Sequence, residues 1–514
     1  MTSLHVSAGV RISLETVRKS KATVVVPPFV QKMATAAQGS VYTWGRAKNY
    51  RLGRPFSGRD VRVPEEVQSL RGRRIRSAAC GGGHTAVILE DDTLHVFGYS
   101  QYGQLGLGDR TDICDPSQIL LIPDGAKRNG VSAAQPVAEV CCGRYHTIAR
   151  SQDGQLWSWG GGKNGRLGHG DERIRHHPAQ ISALKGHVCT KVISGYHCNL
   201  SLMDDGKLFS WGWGAHGQLG LGDANDRDVP TLILSLSGIK IRTLACGDRH
   251  AFAVTESGQV YAWGSNQFGQ LGFGRKGDAV LSPTLIPSLD GLIGDGISSG
   301  DRHSAAITNT GALYTWGCGS DGQCGHGNFD DVLRPKLVEA LTPYRSIAVC
   351  CGHNFTLALT SVKRIFAFGN NTYGQLGNNG SGKQNSPVEV TVHSFPKVRN
   401  VACGHFHCIL WTEPEDDSTS ESQQSNELRY SGQRANGTLL ENGQRNNSED
   451  EDLTNSVGQD QYPSAQAVGK ENLSDALSVL TAAVDDLESK RRIDRKDSNL
   501  FENALRNLKA LSAP

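Results

Sequence analysis

The sequence predicts an all-β fold: a seven-bladed β-propeller with four-stranded blades, followed by a disordered acidic linker and a C-terminal amphipathic helix. Three observations lead there. One short phrase of alternating apolar residues closing on glycine occurs seven times: Val41 to Gly45 (VYTWG), Leu94 to Gly98 (LHVFG), Leu156 to Gly160 (LWSWG), Leu208 to Gly212 (LFSWG), Val260 to Gly264 (VYAWG), Leu313 to Gly317 (LYTWG) and Ile365 to Gly369 (IFAFG). The copies are 53, 62, 52, 52, 53 and 52 residues apart, a regular period that marks ring-closed or stacked units unable to bury their own apolar surface alone. Finally, 61 glycines stand against three methionines in 514 residues, which suits many tight turns rather than long helices.

Each opening phrase is a strand by its period of two. Its aromatic before glycine is Trp44, Phe97, Trp159, Trp211, Trp263, Trp316 or Phe368. A second phrase follows, beginning at Arg51, Gln104, Arg166, Gln218, Gln270, Gln323 and Gln375 (RLG, QLG or QCG); its glycine permits a turn and its leucine supplies an apolar plug. A Pro-containing loop then leads to a third phrase: Cys80-Gly81, Cys142-Gly143, Ser194-Gly195, Cys246-Gly247, Ser299-Gly300, Cys351-Gly352 and Cys403-Gly404. Its continuation alternates again, as in Ala251 to Thr255. Short strands divided by glycine turns, with no helical period between residues 41 and 412, favour blades around an axis, where radial repetition leaves only short protected edges. The 62-residue spacing places one insertion in the second unit, near Asp124 to Gln135, with surface-loop composition.

The three phrases at this period, L-Y-x-W-G, G-Q-L-G-x-G and C-G-x-x-H-T, resemble the regulator-of-chromosome-condensation repeat family over about residues 40 to 412. The resemblance implies seven blades, matching the seven units counted. It also implies binding to a small GTPase of the Ras-like type, perturbed by one face of the propeller.

Outside this region the chain changes character. Residues 1–39 hold Arg11, Arg18, Lys19, Lys21 and Lys32 against one acid, Glu15, a composition open to two readings, a disordered lead-in or a mitochondrial presequence. Met33 opens a phrase that can itself serve as a start. Residues 413–471 are polar, with acidic runs at Glu413, Glu415, Asp416 and Asp417 and at Glu449 to Asp452, and read as disordered. Within 472–511, Leu473, Leu477, Leu480, Val484 and Leu487 recur at steps of four and three, an amphipathic helix that self-associates or docks on a partner helix, or else folds back on the propeller. Between its halves Lys490, Arg491, Arg492, Arg495 and Lys496 form either a nuclear import signal or a solvated helix face.

Composition narrows the function. A net charge of +2 gives no basic field for nucleic acid or membrane surface. No stretch approaches the roughly 20 apolar residues that span a bilayer. Thirteen scattered cysteines fit reduced thiols of the nucleus or cytoplasm better than a disulfide framework; a presequence would place the chain in the mitochondrion instead. Histidine appears in six third phrases, at His84, His146, His197, His250, His303 and His407, with Phe355 in the remaining one. A catalytic histidine needs a unique partner, so recurrence points to an imidazole hydrogen-bonded between blades. Cys403, His405, His407 and Cys408 look like metal ligands, but their spacing is the repeat's own. Gly212 to Gly217 (GWGAHG) matches G-x-G-x-x-G formally yet leads into strand rather than into the helix a dinucleotide needs. The sequence therefore implies no catalytic residue, metal or cofactor.

What remains is a non-catalytic regulatory platform for a protein partner: a guanine nucleotide exchange factor or other regulator of a small GTPase, or an adaptor without exchange activity. The family's exchange acid stands directly before the third-phrase histidine. Here those places read Gly83, Tyr145, Tyr196, Arg249, Arg302, Asn354 and Phe406. An ultraviolet-B photoreceptor role, also found in the family, needs clustered indoles where this chain has Asp248 and Asp301. The expected partner-binding residues are Asp248, Arg249, Asp301 and Arg302, at two equivalent positions of successive units, with Arg144 and Tyr145 beside them. The competing role for these charges is an ion pair between blades.

Overall fold

Within a blade each strand pairs with its neighbour, because connections of three to fifteen residues return the chain antiparallel. The computed structural model describes residues 39–413 except 124–133, 290–292 and 392–396. The N-terminal lead-in, most of the insertion, the acidic linker from residue 414, the amphipathic helix and the basic cluster Lys490, Arg491, Arg492, Arg495 and Lys496 lie outside the described residues.

Six four-stranded meanders form in sequence order, spanning residues 75–119, 137–180, 189–232, 241–285, 293–337 and 346–389, and are called blades 1 to 6. Blade 7 is composite. Its inner strands Val398–Cys403 and His407–Thr412 come from the C-terminal side of the propeller and its outer strands Val41–Gly45 and Val61–Glu66 from the N-terminal side. Val41 pairs with Trp411 and Gly45 with His407, the register in which Leu94 pairs with Ile88 and Gly98 with His84 inside blade 1. The sequence repeat and the spatial blade are therefore out of phase: a repeat opens on the third strand of a blade. The first strand of every blade lines an axial cavity of about 320 Å³.

The core is divided among the blade interfaces. Among the described residues seven buried apolar clusters occur, one between each neighbouring pair of blades. The opening-phrase aromatic fills the interface with the preceding blade: Trp44 against blade 6, Phe97 against blade 7, Trp159 against blade 1. The Trp44, Trp159, Trp263 and Trp316 indoles each donate Nε1–H to the backbone carbonyl at the Gln of the preceding blade's second phrase, at 2.8–3.0 Å. An aromatic here thus plugs the wedge and satisfies a carbonyl together.

Two belts join the blades near the axis. In the first, the residue after each third-phrase glycine donates its backbone N–H to the next blade: Gly82 to Gly143, Arg144 to Tyr196, Tyr196 to Gly247, Asp248 to Gly300, Asp301 to His353, His353 to His405 and, closing the ring, His405 to Gly81. These approaches leave no room for a side chain. A methyl on Gly195 would stand 2.0 Å from the Gly247 carbonyl oxygen, and backbone cannot yield. Gly195→Ala is expected to cost about 2–3 kcal/mol by overpacking, read as a lowered urea midpoint with unchanged slope.

The second belt runs from imidazole to hydroxyl or amide oxygen. Nε2 of His84 meets Thr147 Oγ1 of the next blade at 2.9 Å, His146 meets Asn199 Oδ1 at 2.8 Å, His250 meets Ser304 at 2.8 Å, His303 meets Thr356 at 3.0 Å and His407 meets Thr85 at 2.9 Å. Each acceptor spends its own hydrogen on a carbonyl: Thr147 on Gln104, Asn199 on Arg166, Ser304 on Gln270, Thr356 on Gln323 and Thr85 on Arg51. Its remaining capacity is to accept, so the histidines carry their proton on Nε2. Burial, the dominant cause, pushes the basicity of His84, His146, His250 and His303 down to about 3, and the imidazoles are neutral.

This belt corrects the sequence reading at one position. His197 is not the sixth member; Cys198 occupies that register, and His197 stands one place earlier, equivalent to Tyr145 and Arg249. Tyr196 likewise belongs with Asp248 rather than with Tyr145. The reason lies across the interface. Blade 4 presents Ala251 and blade 7 presents Cys408 where other blades present hydroxyl or amide, and facing them stand Cys198 and Phe355 instead of histidine.

Candidate functional site

Two loops of each blade meet at the same end of the ring: the turn between the first and second strands, and the longer loop between the third and fourth. They are zipped together by backbone bonds such as Tyr99 N–H to Gly83, Gly161 to Tyr145, Trp213 to His197 and Arg46 to Phe406. The turn contributes two residues per blade. The inner ring is Gly82, Arg144, Tyr196, Asp248, Asp301, His353 and His405; the outer ring is Gly83, Tyr145, His197, Arg249, Arg302, Asn354 and Phe406.

The inner ring caps the axial cavity. The Tyr196 ring packs edge-on against His405 with centroids 3.8 Å apart, and His405 stacks on His353 at 4.6 Å. His353 Nδ1 lies 3.3 Å from Asp301 Oδ2. Asp301 is only 2% exposed and lies beside Asp248 of the neighbouring blade. Burial, then the charge of the adjacent Asp301, pushes the Asp248 carboxyl up to about 7, with Arg249 opposing. The same two acids reinforce burial in raising the Tyr196 phenol, while burial, then His353 and Arg144, hold His405 neutral. Asp248 and Asp301 each keep one buried oxygen with no hydrogen-bond partner.

The residues expected from sequence all lie on this face. Asp248, Arg249, Asp301 and Arg302 occupy adjacent blades, while Arg144 and Tyr145 sit two blades away in the same two rings. The expected ion pairing between blades is corrected: Arg249 Nε pairs with its own neighbour Asp248 at 3.3 Å, and Arg302 Nε with Asp301 at 3.2 Å. What crosses the interface is the carboxyl pair and the His353 contact. Arg302 lies over the Phe268 ring at 5.0 Å, Arg144 over Tyr145 at 5.1 Å, and Arg46 over Tyr373 at 4.7 Å, arrangements that hold guanidinium groups over aromatic faces at the surface.

Sequence reasoning missed an aromatic arc on blades 1 to 3. Tyr99, Tyr102, Tyr145, His197, Trp213 and His216 touch in succession, with centroid separations of 6.3, 4.7, 6.2, 5.6 and 5.0 Å. A pocket of about 440 Å³ opens in it, lined by Tyr102, Tyr145, Gly161, Lys163, Asn164, Arg166, His197 and Trp213. Trp213 did stand apart in the sequence, being the one indole outside the opening phrases of this region that precedes a second phrase. The others come together only through ring closure.

All thirteen cysteines lie among the described residues and are free. Cys403, His405, His407 and Cys408 diverge: Cys403 lines the axial cavity, His405 joins the inner ring, His407 meets Thr85 and Cys408 meets the Gln375 carbonyl. Among the described residues no group of three or more potential ligands is placed to hold a metal ion, and no helix is long and apolar enough to cross a membrane.

Comparison with known proteins agrees with this architecture. Residues 31–241 match the RCC1-like domain, and residues 257–307, 310–359 and 364–411 match the regulator of chromosome condensation (RCC1) repeat. The ultraviolet-B receptor UVR8 of Arabidopsis thaliana is 37% identical over 343 residues, covering 66% of this chain and 75% of that protein. The human E3 ubiquitin-protein ligase HERC2 is 30% identical over 394 residues, covering 76% of this chain but 8% of HERC2. Among solved structures, human WBSCR16 superposes with a TM-score of 0.63 at 25% identity, covering 73% of this chain and 99% of that one. Prp20p of Saccharomyces cerevisiae, described with its binding to Gsp1p and histones, superposes with a TM-score of 0.64 at 19% identity, covering 79% of this chain and 100% of that one. Seven blades, their repeated phrases and these matches together establish that the chain belongs to the regulator of chromosome condensation (RCC1) repeat family.

Proposed function

We propose that the chain is a non-catalytic regulator that binds a protein partner through the loop face just described. The observation that carries this is how the repeats differ. At buried positions all seven copies converge on Trp or Phe and Gly, and five carry a histidine facing a hydroxyl or amide of the next blade. At the outer ring they carry Tyr145, His197, Arg249, Arg302 and Phe406, large side chains that the ring does not need for closure. Tyr, Trp and Arg held over a rigid scaffold are the residue types that dominate binding energy at protein interfaces.

The partner class we propose is a small Ras-like GTPase, supported by the likeness in fold to Prp20p, whose structure was described with Gsp1p binding. Exchange activity is one form of that regulation. A second form, an adaptor without exchange, draws support from the outer ring itself, which contains no carboxylate where the family's exchange acid stands. Trp213 is the one accessible indole, and the acids at 248 and 301 occupy the axial positions, which favours recognition over light absorption despite the similarity to UVR8.

Two measurements test this. Affinity capture from cells, comparing the full chain with an Arg249→Glu/Arg302→Glu variant, is expected to show one set of partners weakened more than tenfold by the variant, the size expected for loss of interfacial arginines. Retention of every partner would remove the loop face as the recognition surface. Release of a fluorescent GDP analogue from a panel of small GTPases separates the two forms: acceleration by the chain, lost in the variant, supports exchange, and a flat response across the panel leaves the adaptor.

A further inference from the structure

The second phrase of the repeat carries glutamine in five blades and arginine in two, and the exchange has electrostatic consequences. Each glutamine closes its loop by accepting a backbone N–H two residues earlier: Gln104 from Tyr102, Gln218 from His216, Gln270 from Phe268, Gln323 from Asp321 and Gln375 from Tyr373, at 2.8–3.0 Å. A guanidinium has no acceptor. The two arginine loops turn instead through a left-handed asparagine, Asn49 at φ 63° and Asn164 at φ 61°.

The two arginines then part ways. Arg51 donates Nη1–H to the Gly82 carbonyl at 2.9 Å. Arg166 donates Nε–H to the Lys163 carbonyl at 2.6 Å and Nη2–H to Asn164 Oδ1 at 3.5 Å, but its Nη1 has no hydrogen-bond partner. Its residue is 3% exposed, and among the described residues it makes no ion pair. The nearby carboxylates are engaged elsewhere: Glu172 accepts Asn164 N–H at 3.1 Å and Asp226 accepts the Asn164 amide at 2.7 Å. A buried cation without a counter-charge is costly until an anion reaches it. The effect on neighbours shows the local field: burial, then Arg166 and Arg144, push His197 down to about 3.

Arg166 lies in the floor of the pocket walled by Tyr102, Tyr145 and Trp213, with Lys163 exposed at its rim. We propose that this pocket docks an acidic segment of a partner protein, an Asp or Glu carboxylate meeting Arg166 and Lys163 while an adjoining apolar side chain lies among the aromatic walls. Rigid aromatic walls beside one buried charge suit a peptide side-chain pair. A phosphate would draw on several converging N–H groups and cations, and this pocket has one buried guanidinium. The proposal rests on the loop face being a recognition surface and adds the chemistry of what it recognises.

The molecule carries its own reporter. Of eight tryptophans, seven are buried and Trp213 is not. The full chain is titrated with an end-blocked peptide of sequence glycine-glutamate-phenylalanine-glutamate-glycine, with the glutamine-for-glutamate peptide and inorganic phosphate as controls. Expected is saturable quenching by the acidic peptide that weakens with salt and vanishes in a Trp213→Phe variant. Arg166→Gln installs the residue that five other blades hold there, so the fold is preserved, and peptide affinity is expected to fall at least tenfold, the loss typical of a charged hydrogen bond. Arg51→Gln, the same change in blade 7, leaves affinity unchanged. Equal binding of the neutral peptide, quenching by phosphate alone, or wild-type affinity in Arg166→Gln would overturn the proposal. If the peptide fails while Arg249→Glu/Arg302→Glu still strips partners, the pocket falls and the recognition face stands. If the peptide binds but that variant keeps every partner, the pocket stands and the wider reading falls.

Discussion

A chain lacking residues 398–412 is expected to have no cooperative folded state. These residues supply the two inner strands of blade 7, and their loss strands Val41–Gly45 without the partner it pairs with from Trp411 to His407. It opens the backbone belt at His405, whose N–H reaches Gly81 and whose carbonyl receives His353. It empties two interface cores together, removing Ile409 and Trp411 from the cluster beside blade 1 and Val398, Cys408 and Leu410 from the cluster beside blade 6. Single large apolar truncations cost about 2–5 kcal/mol each, and a typical domain holds only about 5–15 kcal/mol in total, so a loss of this size exceeds what the remaining blades retain. Near-ultraviolet circular dichroism and urea unfolding followed by tryptophan fluorescence check it. A sharp transition at the full-length midpoint would show that closure through blade 7 is dispensable.

The second large effect is acid sensitivity. His84, His146, His250 and His303 have folded-state values of about 3 against an ordinary 6.5. A depressed histidine keeps its full contribution above 6.5, and loses it as the pH falls toward 3, because the unfolded chain binds protons that the folded belt refuses. Each such group changes stability by about 1.4 kcal/mol per pH unit in that window, so four together approach the order of 5 kcal/mol per unit well below pH 6.5. Asp248 works the other way: its value of about 7, against an ordinary 3.8, makes the folded state bind the extra proton and adds stability as the pH falls through that range. One opposing group does not cancel four. Urea midpoints at pH 7.5, 6.5, 5.5 and 4.5 are expected to fall steeply below 6.5, and a flat profile from 7.5 to 4.5 would show that the histidines are not held neutral in the belt.

The histidines show how far the sequence could be read. Their recurrence identified a structural position, and five of the six assigned positions sit in the belt. His197 was assigned by its letter, whereas the structure assigns by what faces it: Ala251 offers no acceptor, so Cys198 fills the register and His197 moves to the half-buried outer ring. A pairing between residues about fifty positions apart is not written in either segment alone. The same limit applies to Asp248, Arg249, Asp301 and Arg302. Their shared face followed from repeat equivalence, but the pairing did not, because which charge an arginine reaches depends on blade twist at the axis. In the pocket, the signal that was available lies in Arg166 standing where five other units have glutamine.

By itself the sequence determined the strand period, the number of blades, the aromatic plug of each interface and the glycines that let blades approach, since each is a local demand repeated seven times. Only the tertiary structure decided that the ring closes through a composite blade, that the acids at 248 and 301 face each other across an interface, and that Tyr102, Tyr145, Arg166 and Trp213 surround one pocket. Those properties arise between units rather than within them, and contacts between units exist only once the ring has closed.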